Sequence, residues 1–455
     1  MDDAHRKRAP TGPHRPARRW IPAALGLVLV LVLAVVALAA GGGEGGGRTL
    51  AAKGPSLLAV PSDRSPSVPR FGTTPWSLER CCGLATGDGG HDWRIHVDER
   101  ELEAMTTLGL PYARGFVYPC VTGADTEALR WLDHYGEVIA RAATNGVQVL
   151  PVLEQGMDCT GAAGDPPDEP AERDAMREAA EHAARRFGPI RRAAGGQVTS
   201  GELWVAAGCR DDGSGCRWRG RPMDYLPVRA WQVWNEQNSA GHWEGGPDPE
   251  AYLRMLVETR AGLRAADPEA RVVAGGLAFV PDSTARSMTP SEFLERVLDL
   301  PGGSCAFDSA AVHFYDRNGT PAELERHLAD VRDVLDDGGA AEAGIWLTEL
   351  GASTLGAEDG EAARGEASQA AWLEEALGRL AARAADLDLG AVLHFGWKDV
   401  TARGLSGNDV YYEYTGLYES LPYEGAPLDP KPAAEIAGTA ARAATALPLA
   451  PPRHC

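Results

Sequence analysis

A (β/α)8 barrel is the fold the sequence predicts, and three observations carry the prediction. Short β-branched or apolar runs alternate with longer amphipathic helical patterns from about Val68 to Ala446. Eight such runs can be picked out, the number that a parallel barrel needs. Two of them stop at a carboxylate: WQVWNEQN (Trp231–Asn238) reaches Asn235-Glu236, and IWLTELG (Ile345–Gly351) carries Glu349. Strand-terminal acids far apart in sequence are what one barrel rim brings together.

The first 67 residues stand apart from the barrel. Residues 1–20 hold Arg6, Lys7, Arg8, Arg15, Arg18 and Arg19 against Asp2 and Asp3, whereas residues 21–40 are uncharged. At about 1.5 Å per residue that run crosses a hydrocarbon core of roughly 30 Å. Basic residues ahead of it leave the N-terminus in the cytoplasm and send everything after Ala40 outside. Residues 21–40 are therefore expected to be a signal anchor or a signal peptide. Ala37-Leu38-Ala39 offers an A-x-A cleavage site, but the run is longer than an ordinary signal core. An extracytoplasmic protein is expected, anchored to the membrane if the segment stays and secreted if it is cleaved. Residues 41–67, GGGEGGG and a Pro- and Ser-rich stretch, read as a flexible tether, and residues 68–455 as the barrel domain.

Strand one lies near Val68–Thr74, followed by a long loop with Trp76, Cys81, Cys82 and Trp93; Asp98 caps the next helix. Strand two is Pro111–Val117, with Arg114 inside it. Thr126 caps a helix whose apolar positions Leu129, Leu132, Tyr135 and Ile139 recur at helical spacing, and Asn145-Gly146 ends it. Strand three, Val147–Leu153, is followed by Glu154, and Pro170 opens a helix towards Phe187-Gly188. About 40 residues rich in Gly, Arg and Trp precede strand four; an insertion of this size is expected to be a rim loop that shapes a site, or else a solvated excursion. Asp248-Pro249, Thr289-Pro290 and Thr320-Pro321 are helix starts of the cap-then-proline kind. Strands five and six are Arg271–Leu277 and Ser309–Asp316, and strand seven carries Glu349. A helix over about Ala367–Ala385, strand eight at Gly390–Trp397 and a helix near Pro432–Ala446 complete the pattern.

A net charge of -20 with no basic stripe outside the N-terminus excludes nucleic acid as a partner. The eight cysteines all lie on the exported side, where an even number reads as disulfides. Cys209 and Cys216 bracket the short flexible RDDGSG and form the first pair; Cys120 and Cys159 each follow a strand and are candidates for a second. Zinc is the competing reading, against which stand irregular spacings and the lack of C-x-x-C.

The WNEQN stretch resembles the Trp-Asn-Glu-Pro-Asn acid/base motif on strand four of clan A glycoside hydrolases, and TELG resembles their strand-seven nucleophile. Arg114 stands where such enzymes place an arginine near the nucleophile, His313-Phe314-Tyr315 is similar to their strand-six His-x-Tyr, and Trp397 to their aromatic platform after strand eight. Family 39, with its β-xylosidases and α-L-iduronidases, is the nearest likeness, then family 5. Gln237 departs from the usual proline, at a position that shapes the loop rather than the proton transfer.

The resemblance implies retaining hydrolysis of an oligo- or polysaccharide without metal or cofactor. Two carboxylates about 5 to 5.5 Å apart would protonate the leaving oxygen and attack the anomeric carbon. Glu236 would be the acid, its pKa raised by burial and by the anion opposite, and Glu349 the nucleophile. Arg114 and the Tyr315 hydroxyl would keep Glu349 ionised, Asn235 would bond the sugar 2-hydroxyl, and Trp397 would stack on a sugar ring. His313 is either a sugar contact or a hydrogen-bonded packing residue. Glu154, Trp76 and Trp243 are candidates for outer subsites, and Trp231, Trp234 and His394 for packing. A barrel that binds glycan without cleaving it and a transglycosidase are the alternative readings.

Overall fold

Eight parallel strands close into a barrel in the order β1-β8-β7-β6-β5-β4-β3-β2, with β1 also paired to β2. They are β1 (Arg70–Thr74), β2 (Tyr112–Val117), β3 (Gln148–Leu153), β4 (Ala230–Asn235), β5 (Arg271–Leu277), β6 (Ser309–Tyr315), β7 (Gly344–Gly351) and β8 (Leu389–Phe395). Each pairs with its neighbours in sequence, so every connection is a crossover and the helices form the outer layer. The computed structural model describes residues 70–74, 84–85, 91–92, 99–117, 130–154, 166–167, 169–355, 364–399, 408–419, 428–443 and 452–453, all within the unit Val60–Cys455.

The helices are α1 (Glu99–Leu108), α2 (Arg130–Thr144), α3 (Pro170–Phe187), α4 (Pro249–Ala266), α5 (Pro290–Leu298), α6 (Pro321–Asp337), α7 (Glu366–Arg383) and α8 (Pro432–Ala443). Their starts have local causes. The Asp248 carboxylate accepts from Glu250 N and Ala251 N, Thr289 Oγ1 accepts from Glu292 N, and Thr320 and Glu323 form a capping box; each is followed by proline at the first turn. The expected elements agree with these to within a few residues. Thr126 and Leu129, expected in α2, lie outside the described residues, and β8 stops at Phe395, two residues short of Trp397.

Two apolar layers stabilise the barrel. Inside it, Trp346 of β7 fills the lumen beside Leu150, Ala230, Val273, Ala311, Ala391 and Leu393. One large ring among alanines plugs the lower barrel and leaves the C-terminal rim for chemistry. The larger cluster lies between strands and helices and includes Trp231, Val233, Trp234, Tyr252, Phe293 and Leu347.

The insertion before β4 corrects an expectation. It follows a helix and precedes a strand, which places it at the N-terminal ends of the strands, away from the rim. Contacts agree: Asp224 N donates to Ala143 O, Gln148 Nε2 to Pro227 O, and Val228 N to Phe187 O. Two short hairpins and the helix Glu202–Ala206 are fastened by fully buried Trp204, whose Nε1 donates to Phe187 O. Cys209 and Cys216 are disulfide-bonded with Cα atoms 4.1 Å apart, and Cys305 is disulfide-bonded as well. Cys120 and Cys159 lie outside the described residues, as do residues 21–40. Among the described residues no helix is long and apolar enough to cross a membrane.

Asp308, buried at the entrance to β6, joins three segments: it accepts from Val272 N at 2.7 Å, from Arg264 Nη2 at 3.0 Å through both oxygens, and from Arg453 N at 2.6 Å. Removing it strands a mostly buried guanidinium. Asp308→Ala is expected to cost about 3–5 kcal/mol, read as a lower urea midpoint; a midpoint within error of wild type would show that solvent compensates Arg264.

Candidate active site

The site is built on the end of β4. Trp231 and Trp234 are fully buried, and the backbone leaves the β region on either side of Asn235, with φ +72° at Trp234 and +49° at Glu236. Non-glycine residues resist this left-handed region, so the conformation is held by surrounding contacts. Gln232 Nε2 donates to Trp234 O at 2.9 Å, the Tyr252 hydroxyl donates to Val233 O at 3.1 Å, and Trp234 Nε1 donates to His242 O at 2.9 Å. The kink projects Asn235 and Glu236 towards the barrel axis.

Arg114, fully buried on β2, ties the two halves of the site together. Its Nη1 donates to Glu349 Oε1 at 2.7 Å, Nη2 to Asn235 Oδ1 at 2.7 Å, and Nε to Gln232 Oε1 at 3.0 Å. The other oxygen of Glu349 accepts from the Tyr315 hydroxyl. Burial and the adjacent Glu349 carboxylate push the Tyr315 phenol well above its ordinary pKa, so it remains a donor.

His313 sits between the glutamates. Its Nδ1 is 2.9 Å from Glu236 Oε1 and 3.3 Å from Glu349 Oε2, and its Nε2 is 3.1 Å from Thr348 Oγ1. Ionised carboxylates only accept, which assigns the proton to Nδ1 and makes Nε2 the acceptor of the Thr348 hydroxyl. The ring fits because β5 carries Gly275-Gly276. A Cβ on Gly276 would meet His313 Nε2 at 1.9 Å, and one on Gly275 would meet Gln237 Oε1 at 2.2 Å.

Two groups complete the site. The His242 imidazole lies on the loop after β4 with Nε2 3.0 Å from Glu236 Oε2, and buried Glu154 directly follows β3 beside Arg114, Glu236 and Glu349. Burial pushes the Glu154 carboxyl up to about 7 against the pull of His242 and Arg114. Glu236 departs from expectation. Burial drives its pKa upward, but the hydrogen bonds from His242 and His313 outweigh burial and hold the carboxyl below the usual range. Burial lowers the His242 pKa, and the Glu236, Glu154 and Glu349 carboxylates outweigh it, pushing it up to about 9.

The structure thus brings together Arg114, Asn235, Glu236, His313, Tyr315 and Glu349, and leaves out other expected residues. Trp397 is fully buried with its ring 4.5 Å from that of Tyr418, so it offers no face to a sugar. Aromatic surface beside Tyr315 comes from half-buried Tyr412, ring centroids 4.8 Å apart, on the short helix Asn408–Tyr412. Trp243 is also buried, packed between Trp234 and Tyr252, and is no outer subsite. His394 is a core residue within 2.8 Å of Thr415 O, and Trp76 lies outside the described residues. His242 escaped sequence reasoning; its signal was a lone histidine on a glycine-rich loop directly after the acid motif.

Glu236, His313 and Glu349 each offer one ligand atom, all within 4.8 Å of one another. Both Glu349 oxygens are already committed to Arg114 and Tyr315, and the guanidinium supplies the positive charge a cation would bring, so the trio is not read as a metal centre.

No protein-family model matches the chain, and no curated protein sequence matches it. Solved structures do. The GH5_18 structure from Bifidobacterium longum subsp. infantis has a TM-score of 0.51 at 15% identity, covering 84% of this chain and 81% of that one. GH5_18 from Streptomyces cattleya, solved with GlcNAc, has a TM-score of 0.50 at 18% identity, covering 83% and 80%. A family 39 glycoside hydrolase from Bacteroides cellulosilyticus WH2 has a TM-score of 0.49 at 16% identity; the match covers 80% of this chain but only 64% of that one. The fold is thus shared with glycoside hydrolases of family 5.

Gly276→Ala is expected to dislodge His313 and to cost about 1–3 kcal/mol through overpacking, measured by urea unfolding. An unchanged midpoint would mean that the strand yields without strain.

Proposed function

We propose that this chain is an exported retaining glycosidase that hydrolyses O-glycosidic bonds of an extracellular glycan, with Glu236 as acid/base and Glu349 as nucleophile. The observation that carries the reading is the spacing of the two carboxylates: Glu236 and Glu349 offer oxygens within 4.8 Å of each other across His313. Oxygens this near each other suit a retaining pair, whose carboxyl groups lie about 5 to 5.5 Å apart, better than an inverting pair at about 6.5 to 9.5 Å.

Each neighbour has a task in the double displacement. Arg114 and Tyr315 spread the charge of Glu349 and aim it at the anomeric carbon. Because Asn235 Oδ1 is occupied by Arg114, its amide Nδ2 is the end turned towards the sugar, a donor for the 2-hydroxyl. Tyr412 supplies the aromatic face that Trp397 does not. In the first step Glu236 protonates the leaving oxygen as Glu349 bonds to the anomeric carbon. In the second Glu236 deprotonates the water that releases Glu349.

The uncharged run 21–40 and the tether support a barrel outside the cytoplasm, held to the membrane or secreted after cleavage. The Cys209–Cys216 bond suits that oxidising compartment.

The test is sugar release by the purified protein on plant and bacterial wall polysaccharides and aryl glycosides. N-acetylglucosaminides are included because the Streptomyces cattleya structure holds GlcNAc. Glu349→Gln is expected to lose about 10^4-fold or more in kcat, and proton NMR of the first-formed product should show the substrate's own anomer. Glycan binding equal in both proteins, with no release by either, would replace this reading with a non-catalytic glycan-binding barrel.

A further inference from the structure

Both oxygens of Glu236 are occupied, and by unlike partners. Oε1 faces His313, whose side chain is 1% exposed and held from behind by Thr348; Oε2 faces His242, whose side chain is 42% exposed. An acid must offer one oxygen to the leaving group, and the buried His313 closes Oε1 off. Oε2 is the working oxygen, and His242 stands on it.

The loop under His242 is firmly placed. His242 O accepts from Trp234 Nε1, His242 N donates to Ser239 O at 3.0 Å, and Trp243 is locked between two aromatic rings. Only the imidazole is left to move, on a main chain preceded by Gly241. The titratable and charged groups around the pair are Glu154 directly after β3, His313 and the Tyr315 hydroxyl from β6, Glu349 from β7 and the hydroxyl of Tyr412 from beyond β8. The carboxylates among them favour a proton on the imidazole and disfavour a further negative charge.

We propose that His242 stores the proton which Glu236 delivers: the resting site is a His242 imidazolium paired with a Glu236 carboxylate, and the proton crosses from Nε2 to Oε2 when substrate arrives. The inference rests on the glycosidase reading, and His242 acts through Glu236 rather than on the sugar. It resolves a difficulty of that reading, since a glutamate held ionised by two histidines has no proton of its own to give. In the first half-reaction Nε2–H passes to Oε2. The glycosidic C–O bond then breaks with its electron pair on the leaving oxygen, which takes that proton as Glu349 bonds to the anomeric carbon. In the second half-reaction a water oxygen bonds to that carbon, the bond to Glu349 breaks, and the water's proton moves to Oε2 and back to Nε2. One water is consumed and His242 regains its proton.

Two measurements on the full chain test this. In the resting protein, the 15N shift of His242 Nε2 should be that of imidazolium at pH 7 and titrate near 9; a neutral imidazole at pH 7 overturns the proposal. In kinetics, the alkaline limb of kcat/KM should lie near 9 in wild type, because His242 holds its proton below that pH and loses it above. His242→Asn should move that limb at least one pH unit lower. It should also slow an alkyl glycoside by about 10²-fold, while sparing a dinitrophenyl glycoside, whose leaving group departs without a proton. Imidazole in the buffer should restore part of the alkyl glycoside rate to His242→Ala. A limb that stays in place, or equal losses on both glycosides, overturns the role of His242 alone. A wild type inactive on both overturns the glycosidase reading and this role with it.

Discussion

The guanidinium of Arg114 is the interaction on which the site depends. It is buried without solvent, and its three nitrogens reach β4 twice and β7 once, so one side chain sets the distance between the two strands that carry the carboxylates. A buried charge of this kind is costly unless its nitrogens find acceptors. Here Gln232, Asn235 and Glu349 are the acceptors, and in accepting each is fixed in rotamer and orientation. The preorganisation is a by-product of solving the solvation of one cation.

Most of the barrel was legible because its signals are local. Cap-then-proline starts at Thr289, Thr320 and Asp248 act within one helical turn, and strands buried on both faces read as unbroken apolar runs. The site was legible where strand ends supply it, since Arg114, Asn235, Glu236, His313, Tyr315 and Glu349 lie on or directly after barrel strands. Residues on loops were misjudged. His242 reaches Glu236 only because Trp234 pins the loop back on itself, a tertiary fact with no spacing rule behind it. Trp397 was assigned by analogy to a platform, but β8 ends at Phe395 and Gly396 follows with φ +83°, and the chain carries the indole into the core. The insertion after α3 was assigned by length, whereas the barrel's alternation alone put it on the opposite face.

The charge state of Glu236 shows how far a family likeness extends. Glu236 lies at the strand end opposite Glu349, where the sequence placed it, but its tuning comes from His313 and from His242, a neighbour outside the motif. Geometry of this sort is set by strand register; protonation is set by whichever loops fall within about 4 Å to 6 Å. Two proteins with the same strand ends can therefore run at different pH.

The excursion between α3 and β4 has a practical meaning of its own. Its disulfide loop, Cys209 to Cys216, carries exposed Asp211 and Asp212 and stands on the face opposite the rim. A graft or a surface tether attached there would leave the rim that carries Glu236 and Glu349 uncovered, so the barrel has a handle that is mechanically separate from its blade.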